Sequence, residues 1–272
     1  MTSHPLSSRN ASVINTFISS SVRKDMLRSA LLVTIGTAVT AFISVFCVVC
    51  FPLLPRKEYS IFSIAQLWGR IMLFLTSVKV EVQGRENVSY GRPQIFMSNH
   101  QSGFDIFVLL AYTPRYFAWI AKKELFRIPF FGLALRRLGA IEIDRQNVVR
   151  AMHSIDEAAR IIREGKSVMT FPEGTRSRDG RIQPFKKGVF HLALKSGVPI
   201  VPVTLIGSRE IMPKKSLRVT PGQVTLIIHP PVLVTDYSAE TVDELIERVR
   251  KPIVDAYYAH RPNLRQEREA AP

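Results

Sequence analysis

The chain has 272 residues, enough for one sizeable domain whose core needs no disulfide or metal staples. Its 37 Lys and Arg against 22 Asp and Glu give a net charge of +15, which suits an anionic partner such as nucleic acid, an acidic membrane surface or a phosphorylated substrate. A hydrophobic content of 46% is unusual for a nucleic-acid binder, and the sequence shows neither a helix-turn-helix nor basic residues interleaved with aromatics, so a membrane is favoured over nucleic acid.

Residues 1–28 read as a basic and polar segment. Residues 29–55, SALLVTIGTAVTAFISVFCVVCFPLLP, carry no charge. As a helix, 30–54 would span ~37 Å at about 1.5 Å per residue, more than the ~30 Å hydrocarbon core of a bilayer. The run is too long and begins too late for a cleavable signal peptide. Arg23, Lys24 and Arg28 precede it and Arg56 and Lys57 follow, so flanking charge does not fix its orientation. A second apolar stretch, IFSIAQLWGRIMLFLTSVKV at 61–80, contains Trp68 and Arg70. It can re-enter the bilayer, lie in the interface with Arg70 snorkelling, or pack on the domain. Residues 29–80 are therefore expected to form a helical hairpin anchor that leaves the later domain on one side of the membrane. Cys47 and Cys50 form a C-x-x-C inside the apolar run, without the further ligands or strand-helix context of a zinc or redox motif.

From residue 81 the pattern changes to short apolar runs alternating with amphipathic stretches. PQIFMSN (93–99), YFAWIA (116–121), GAIEID (139–144), SVMTF (167–171) and VPIVPVTL (198–205) read as strands. Asn147 is a candidate N-cap for a helix carrying Val148, Met152, Ile155, Ala159 and Ile162, closed by Gly165. Thr241 and Glu244 have capping-box spacing before a last helix in which Pro252 predicts a kink. Strand-helix alternation predicts an α/β domain over 81–260 with a largely parallel, mixed sheet flanked by helices, and 261–272 read as a charged tail.

In such sheets, active residues gather where strands end and helices begin. His100 follows the first of these strands in SNHQSGFDIF, and Asp105 stands five positions on. In a continuous helix the two would lie about 140° apart around the axis. They can meet only if Gln101–Gly103 turns and Asp105 opens a helix. Asp105 on imidazole Nδ1 would leave Nε2 as a general base, whereas the plainer alternative is a helix-capping Asp105 beside a buried polar His100. No G-x-S-x-G elbow is present, so such a base would activate a substrate hydroxyl or amine, and no second ligand-spaced pair supports a metal. FPEGTRSRDG (171–180) suits an anion. Gly174 and Thr175 can offer backbone N–H groups and Arg176 a guanidinium fork, while Glu173 is awkward beside an anion unless it holds Arg176 or another donor in place. Arg145 and Lys122, at neighbouring strand ends, are further candidate cations.

Four stretches in order, NHQSGFD, GAIEIDR, FPEGTRS and VPIVPV, resemble the motif set of the glycerolipid acyltransferases, and most closely that of the 1-acyl-sn-glycerol-3-phosphate acyltransferases. The resemblance runs from about residue 80 to 210 and includes AKKELFRIPFFG and FKKGVFHLAL. It implies catalytic roles for His100 and Asp105, and substrate binding by Arg145, Glu173, Gly174, Thr175 and Arg176. Lys122 matches the lysine of the A-K-x-E-L segment, with Lys123 adjacent. It also implies an acyl thioester donor, acyl-CoA or acyl-carrier protein, and an acceptor that is lysophosphatidic acid, another lysophospholipid or a lyso-amino-acid lipid. No cofactor or metal is implied, and the expected location is a phospholipid membrane with the catalytic domain on the cytoplasmic face. VPIVPV itself reads as a buried strand without chemistry.

Overall fold

In the computed structural model the described residues are 8–143 and 148–261, with side chains described from 23 onward and, in the helix after 147, from 154. Arg145, Asn147 and residues 262–272 lie outside them.

The N-terminal stretch is one helix, α1 (Ser8–Cys50), and within Arg23–Leu53 an 18-residue window reaches a mean hydropathy of 2.3, long and apolar enough to cross a membrane. Its hydroxyls are silenced locally: Thr37, Thr40 and Ser44 each donate to the carbonyl four residues back, at 2.7–2.8 Å. After a short 3-10 turn the chain doubles back as α2 (Lys57–Leu75). One face of this helix packs on the domain, while Tyr59, Leu67 and Phe74 on the other stay exposed. Ile61, Phe62, Ala65, Gly69, Met72 and Leu73 are buried. At Gly69 a Cβ would come within 2.8 Å of the Phe107 carbonyl, so α2 lies directly on the backbone of α3 (Phe104–Tyr112). The expected boundary at 80/81 falls inside the first strand, β1 (Val78–Gln83).

The later elements are β2 (Ile95–Ser98), β3 (Ala118–Lys122), α4 (Phe131–Arg137), β4 (Ile141–Ile143), α5 (Val148–Arg163), β5 (Val168–Thr170), α6 (Lys187–Ser196), β6 (Ile200–Ile206), α7 (Ser208–Ile211), β7 (Gly222–Ile228) and α8 (Val242–Ala259). Seven strands form one sheet in the order β1-β7-β6-β2-β5-β3-β4, parallel at every pairing except β6 with β7. The α/β class and the mixed, largely parallel sheet are as expected. All five strands read from sequence are present. β2 and β6 are buried along their whole length, as strands covered on both faces must be. Ile95, Met97 and Ile200 face α5, α6 and α8, whereas Phe96, Val201 and Val203 face α2 and α3. The period-2 pleat thus divides one apolar run between two cores.

One expectation changes. Thr241 makes no side-chain cap on α8; its hydroxyl instead accepts from the Ser238 N–H at 2.9 Å, and its backbone (φ −99°, ψ 17°) lies outside the extended region typical of an N-cap. Pro252 lies inside α8.

Candidate active site

β2, a central strand, delivers the chain to the carboxyl end of the sheet and Asn99 clamps it there. Its side-chain amide donates to the Leu205 carbonyl at 2.9 Å and its side-chain oxygen accepts the Leu205 N–H at 2.8 Å. That clamp gives β6, the fourth motif, its purpose as a buried strand. Residues 100–103 then turn and α3 begins at Phe104. Asp105 is fully buried, and its Oδ2 gathers three bonds: the Gln101 N–H at 2.7 Å, the Ser102 N–H at 2.9 Å, and His100 Nδ1 at 2.8 Å. The capping and catalytic readings of Asp105 are therefore the same arrangement. The carboxylate that shapes the turn also orients the imidazole. A carboxylate only accepts, so Nδ1 carries the proton and Nε2 keeps a lone pair. The ring is also held flat, stacked on Phe171 with centroids 3.8 Å apart and planes 9° apart, and Phe171 rests in turn on Trp119.

Glu173 holds donors in place. It is 2% exposed, and its two oxygens accept the backbone N–H groups of His100 at 2.6 Å and Gln183 at 2.8 Å. It is a brace tying the 171–183 loop to the His100 turn. Burial pushes its carboxyl up to about 8, with nearby Asp105 adding to the rise and the two backbone donors opposing it. Gly174 follows at φ +75°, a conformation that favours glycine, and a Cβ there would press on the Lys186 side chain at 3.1 Å.

His100, Lys122, Gly174, Thr175 and Arg176 all line one cavity of about 670 Å3. Lys122 rather than Lys123 is the lysine in its wall. Lys214, which sequence reading passed over, joins them. Its ammonium donates to Thr175 Oγ1 at 3.1 Å and to the Arg176 carbonyl at 2.5 Å. Partial desolvation, then the neighbouring cations Arg178, Arg176 and Lys122, hold it below the usual lysine range. Lys122, Arg176 and Lys214 outnumber Glu124, the one carboxylate among the described residues lining the cavity. The signal for Lys214 was topological: β6 runs parallel to β2, so the segment after it returns to the edge that carries His100. Away from the cations, the cavity continues as an apolar corridor among α1, α2, α3 and α4, past Ile43, Ala65, Leu110 and Leu138. One site thus combines an oriented imidazole, an anion pocket and a slot for hydrocarbon.

Comparison with known proteins agrees with this geometry. Residues 79–206 match the Acyltransferase family model. The chain is 38% identical over 203 residues to the chloroplastic 1-acyl-sn-glycerol-3-phosphate acyltransferase BAT2 of Brassica napus, covering 74% of this chain and 57% of that one. It is 35% identical over 193 residues to the alpha 1-acyl-sn-glycerol-3-phosphate acyltransferase of Homo sapiens, covering 69% of this chain and 68% of that protein. The crystal structure of the 1-acyl-sn-glycerophosphate (LPA) acyltransferase PlsC from Thermotoga maritima superposes with a TM-score of 0.76 at 31% identity, over 86% of this chain and 94% of that one. The chain belongs to the acyltransferase family, among the 1-acyl-sn-glycerol-3-phosphate acyltransferases.

Proposed function

We propose that the protein moves a fatty acyl group from a thioester, acyl-CoA or acyl-carrier protein, to the sn-2 hydroxyl of 1-acylglycerol-3-phosphate, giving phosphatidic acid for phospholipid biosynthesis. The observation that carries this reading is the placement of the Asp105–His100 pair between a cationic pocket and an apolar corridor in one cavity. Arg176, Lys122 and Lys214 hold the phosphate, and Thr175 and Gly174 shape the loop around it. Arg145, two positions past β4, belongs to the same set by its sequence position. Nε2 of His100 takes the hydroxyl proton as that oxygen attacks the thioester carbonyl. Collapse of the tetrahedral intermediate breaks the carbon–sulfur bond, and the proton on the imidazole goes to the departing thiolate. No covalent enzyme intermediate, metal or cofactor is needed for this sequence. The apolar α1 holds the chain in the bilayer, and the soluble thioester carriers of the cytoplasm put the domain on that face.

The test is an acyl-transfer assay on membranes containing the full chain. Both thioester donors are offered with lysophosphatidic acid, lysophosphatidylethanolamine and a monoacylglycerol lacking phosphate. Preference for lysophosphatidic acid, lowered ~10²-fold or more in kcat by His100→Ala, is expected. Preference for another acceptor, or activity of His100→Ala within a few-fold of the parent, overturns the assignment.

A further inference from the structure

The acceptor of the proposed reaction already carries an acyl chain, so two chains meet at His100, one being moved and one that stays. A chain being moved begins at the reacting carbonyl, and the corridor leading from His100 suits it. A second cavity, of about 530 Å3, lies along the adjacent stripe of α1 and shares Thr40, Ser44 and Phe131 with the first as a common wall. Both volumes fall in the ~300–1,000 Å3 range of small-molecule sites. The second is walled by Val33, Met72, Phe107, Leu217 and Val219, and His100 takes no part in it.

The chemistry of this second space is hydrocarbon throughout. Its hydroxyl-bearing residues, Thr37, Thr40, Ser44 and Thr76, all spend their protons on backbone carbonyls of their own helices. No side chain there offers a headgroup a free donor or charge. Its inner end is nevertheless next to the reaction. Met212 lines it, and a Cβ placed on Gly103 would lie 2.9 Å from Met212 Cε and 3.6 Å from a terminal nitrogen of Arg176. The catalytic turn, the phosphate cation and the second cavity therefore converge at Gly103. Ser102 fixes the junction by donating its hydroxyl to the Met212 carbonyl at 2.8 Å. At the outer end Ile128, Phe130 and Leu217 are exposed, Leu217 at 72%, which gives an apolar rim where a lipid tail can slide in sideways.

Building on the acyl-transfer reading, we propose that this second cavity holds the acyl chain that the acceptor already carries, while the corridor at His100 holds the chain being transferred. A lysophospholipid with its phosphate at Arg176 and its hydroxyl at His100 sends its sn-1 chain past Gly103 and Met212, away from the incoming chain. Phe131 and the Thr40–Ser44 face of α1 keep the two apart.

The experiment compares the full chain with Val33→Phe, which intrudes on the second cavity alone, and Ala65→Phe, which intrudes on the first alone. Acceptors differ only in carrying a hexanoyl or a palmitoyl sn-1 chain, and donors range from octanoyl to stearoyl. Val33→Phe is expected to lower kcat/KM for the palmitoyl relative to the hexanoyl acceptor by about tenfold, the size of a modest overpacking penalty, with the donor profile unmoved. Ala65→Phe should shift the donor profile and spare the acceptor ratio. A Val33→Phe enzyme whose donor profile moves, or whose acceptor ratio does not, overturns the proposal. The unsubstituted chain supplies a second readout that no folding defect can blur. A lysophosphatidic acid bearing a diazirine at its chain end should label Met72 or Leu217. Labelling of Ala65 or Leu135 instead, or equal labelling of Met72 by a diazirine-bearing phosphatidylcholine, would assign the space to the donor or to bulk lipid. Absence of transfer to any lysophosphatidic acid by the unsubstituted chain removes the acyl-transfer reading as well. Normal transfer with unresponsive profiles removes only this assignment.

Discussion

Replacing Glu173 by glutamine keeps one acceptor for the backbone of His100 or Gln183 and turns an amide N–H toward the other. A buried donor left without an acceptor costs about 1–3 kcal/mol, and here the loss acts on His100, the proposed base. Glu173→Gln should therefore lower both the melting temperature and kcat, with a smaller effect on KM for the acceptor. It should also alter the pH dependence of stability. Burial raises the folded-state value to about 8 from 4.5, so Glu173 contributes most below 4.5 and loses that contribution as pH rises through about 8. Denaturant unfolding between pH 4.5 and 8 should show a downward slope that flattens in Glu173→Gln. An unchanged slope would show that Glu173 holds no proton in the fold. The two chemical roles separate by a different comparison. Arg176→Lys keeps charge but loses the planar fork, so it should raise KM for a phosphorylated acceptor and matter much less for one without phosphate. Asp105→Asn disturbs the imidazole tautomer and should lower kcat about equally for both. Equal harm to both variants on both acceptors would take the phosphate away from Arg176. His100, Asp105 and the E-G-T-R loop were legible in sequence because their spacing and strand-end placement are local. Phe171 and Lys214 were not, because a stack and a cation meeting from separate strands leave no local trace.

The five strands found from sequence include those buried on both faces, which read as apolar runs. β1 escaped because its first residues read as the end of the apolar stretch at 61–80; in VKVEVQ, Lys79, Glu81 and Gln83 face outward. The same property hid the boundary of the helical pair, since β1 follows α2 after two residues. Packing decides the status of α2, which is why hydropathy left three placements open. Gly69 is the point where this packing is tightest. Gly69→Val should push α2 off α3 and cost about 1–3 kcal/mol, an overpacking penalty partly offset by the poor helix propensity of glycine. Because α2 and α3 flank the corridor, its use of long-chain donors should fall before its use of short ones. A melting temperature and donor profile equal to the parent's would mean that the contact at Gly69 yields freely.

At the scale of the molecule, a charge of +15 and an apolar α1 make separable demands on a membrane. The Debye length shrinks to ~3 Å in 1 M salt, so a chain held by charge alone is released there, whereas apolar burial persists. The full chain should stay in the pellet through molar salt and alkaline carbonate, and its appearance in the supernatant would rule out α1 as the anchor. Thr40, Ile43, Ser44 and Cys47 of α1 also line the cavity at His100. Removing α1 therefore opens the site, and a chain starting at residue 57 should lose activity even where α2 still draws it to vesicles.

The pairing of β1 with β7 joins Val78 to Gly222, 144 residues further along the chain. At synthesis rates of about 5–20 residues per second, β1 waits ~7–30 s for its neighbour to leave the ribosome. During that interval the α1–α2 hairpin has already emerged, with β1 directly behind it as an unpaired edge open to pairing with other chains. Early insertion of α1 into a bilayer would hold that edge near a surface and away from other nascent chains. The apolar helix thus guards an edge whose partner arrives late, and synthesis without membranes should leave β1 open to aggregation.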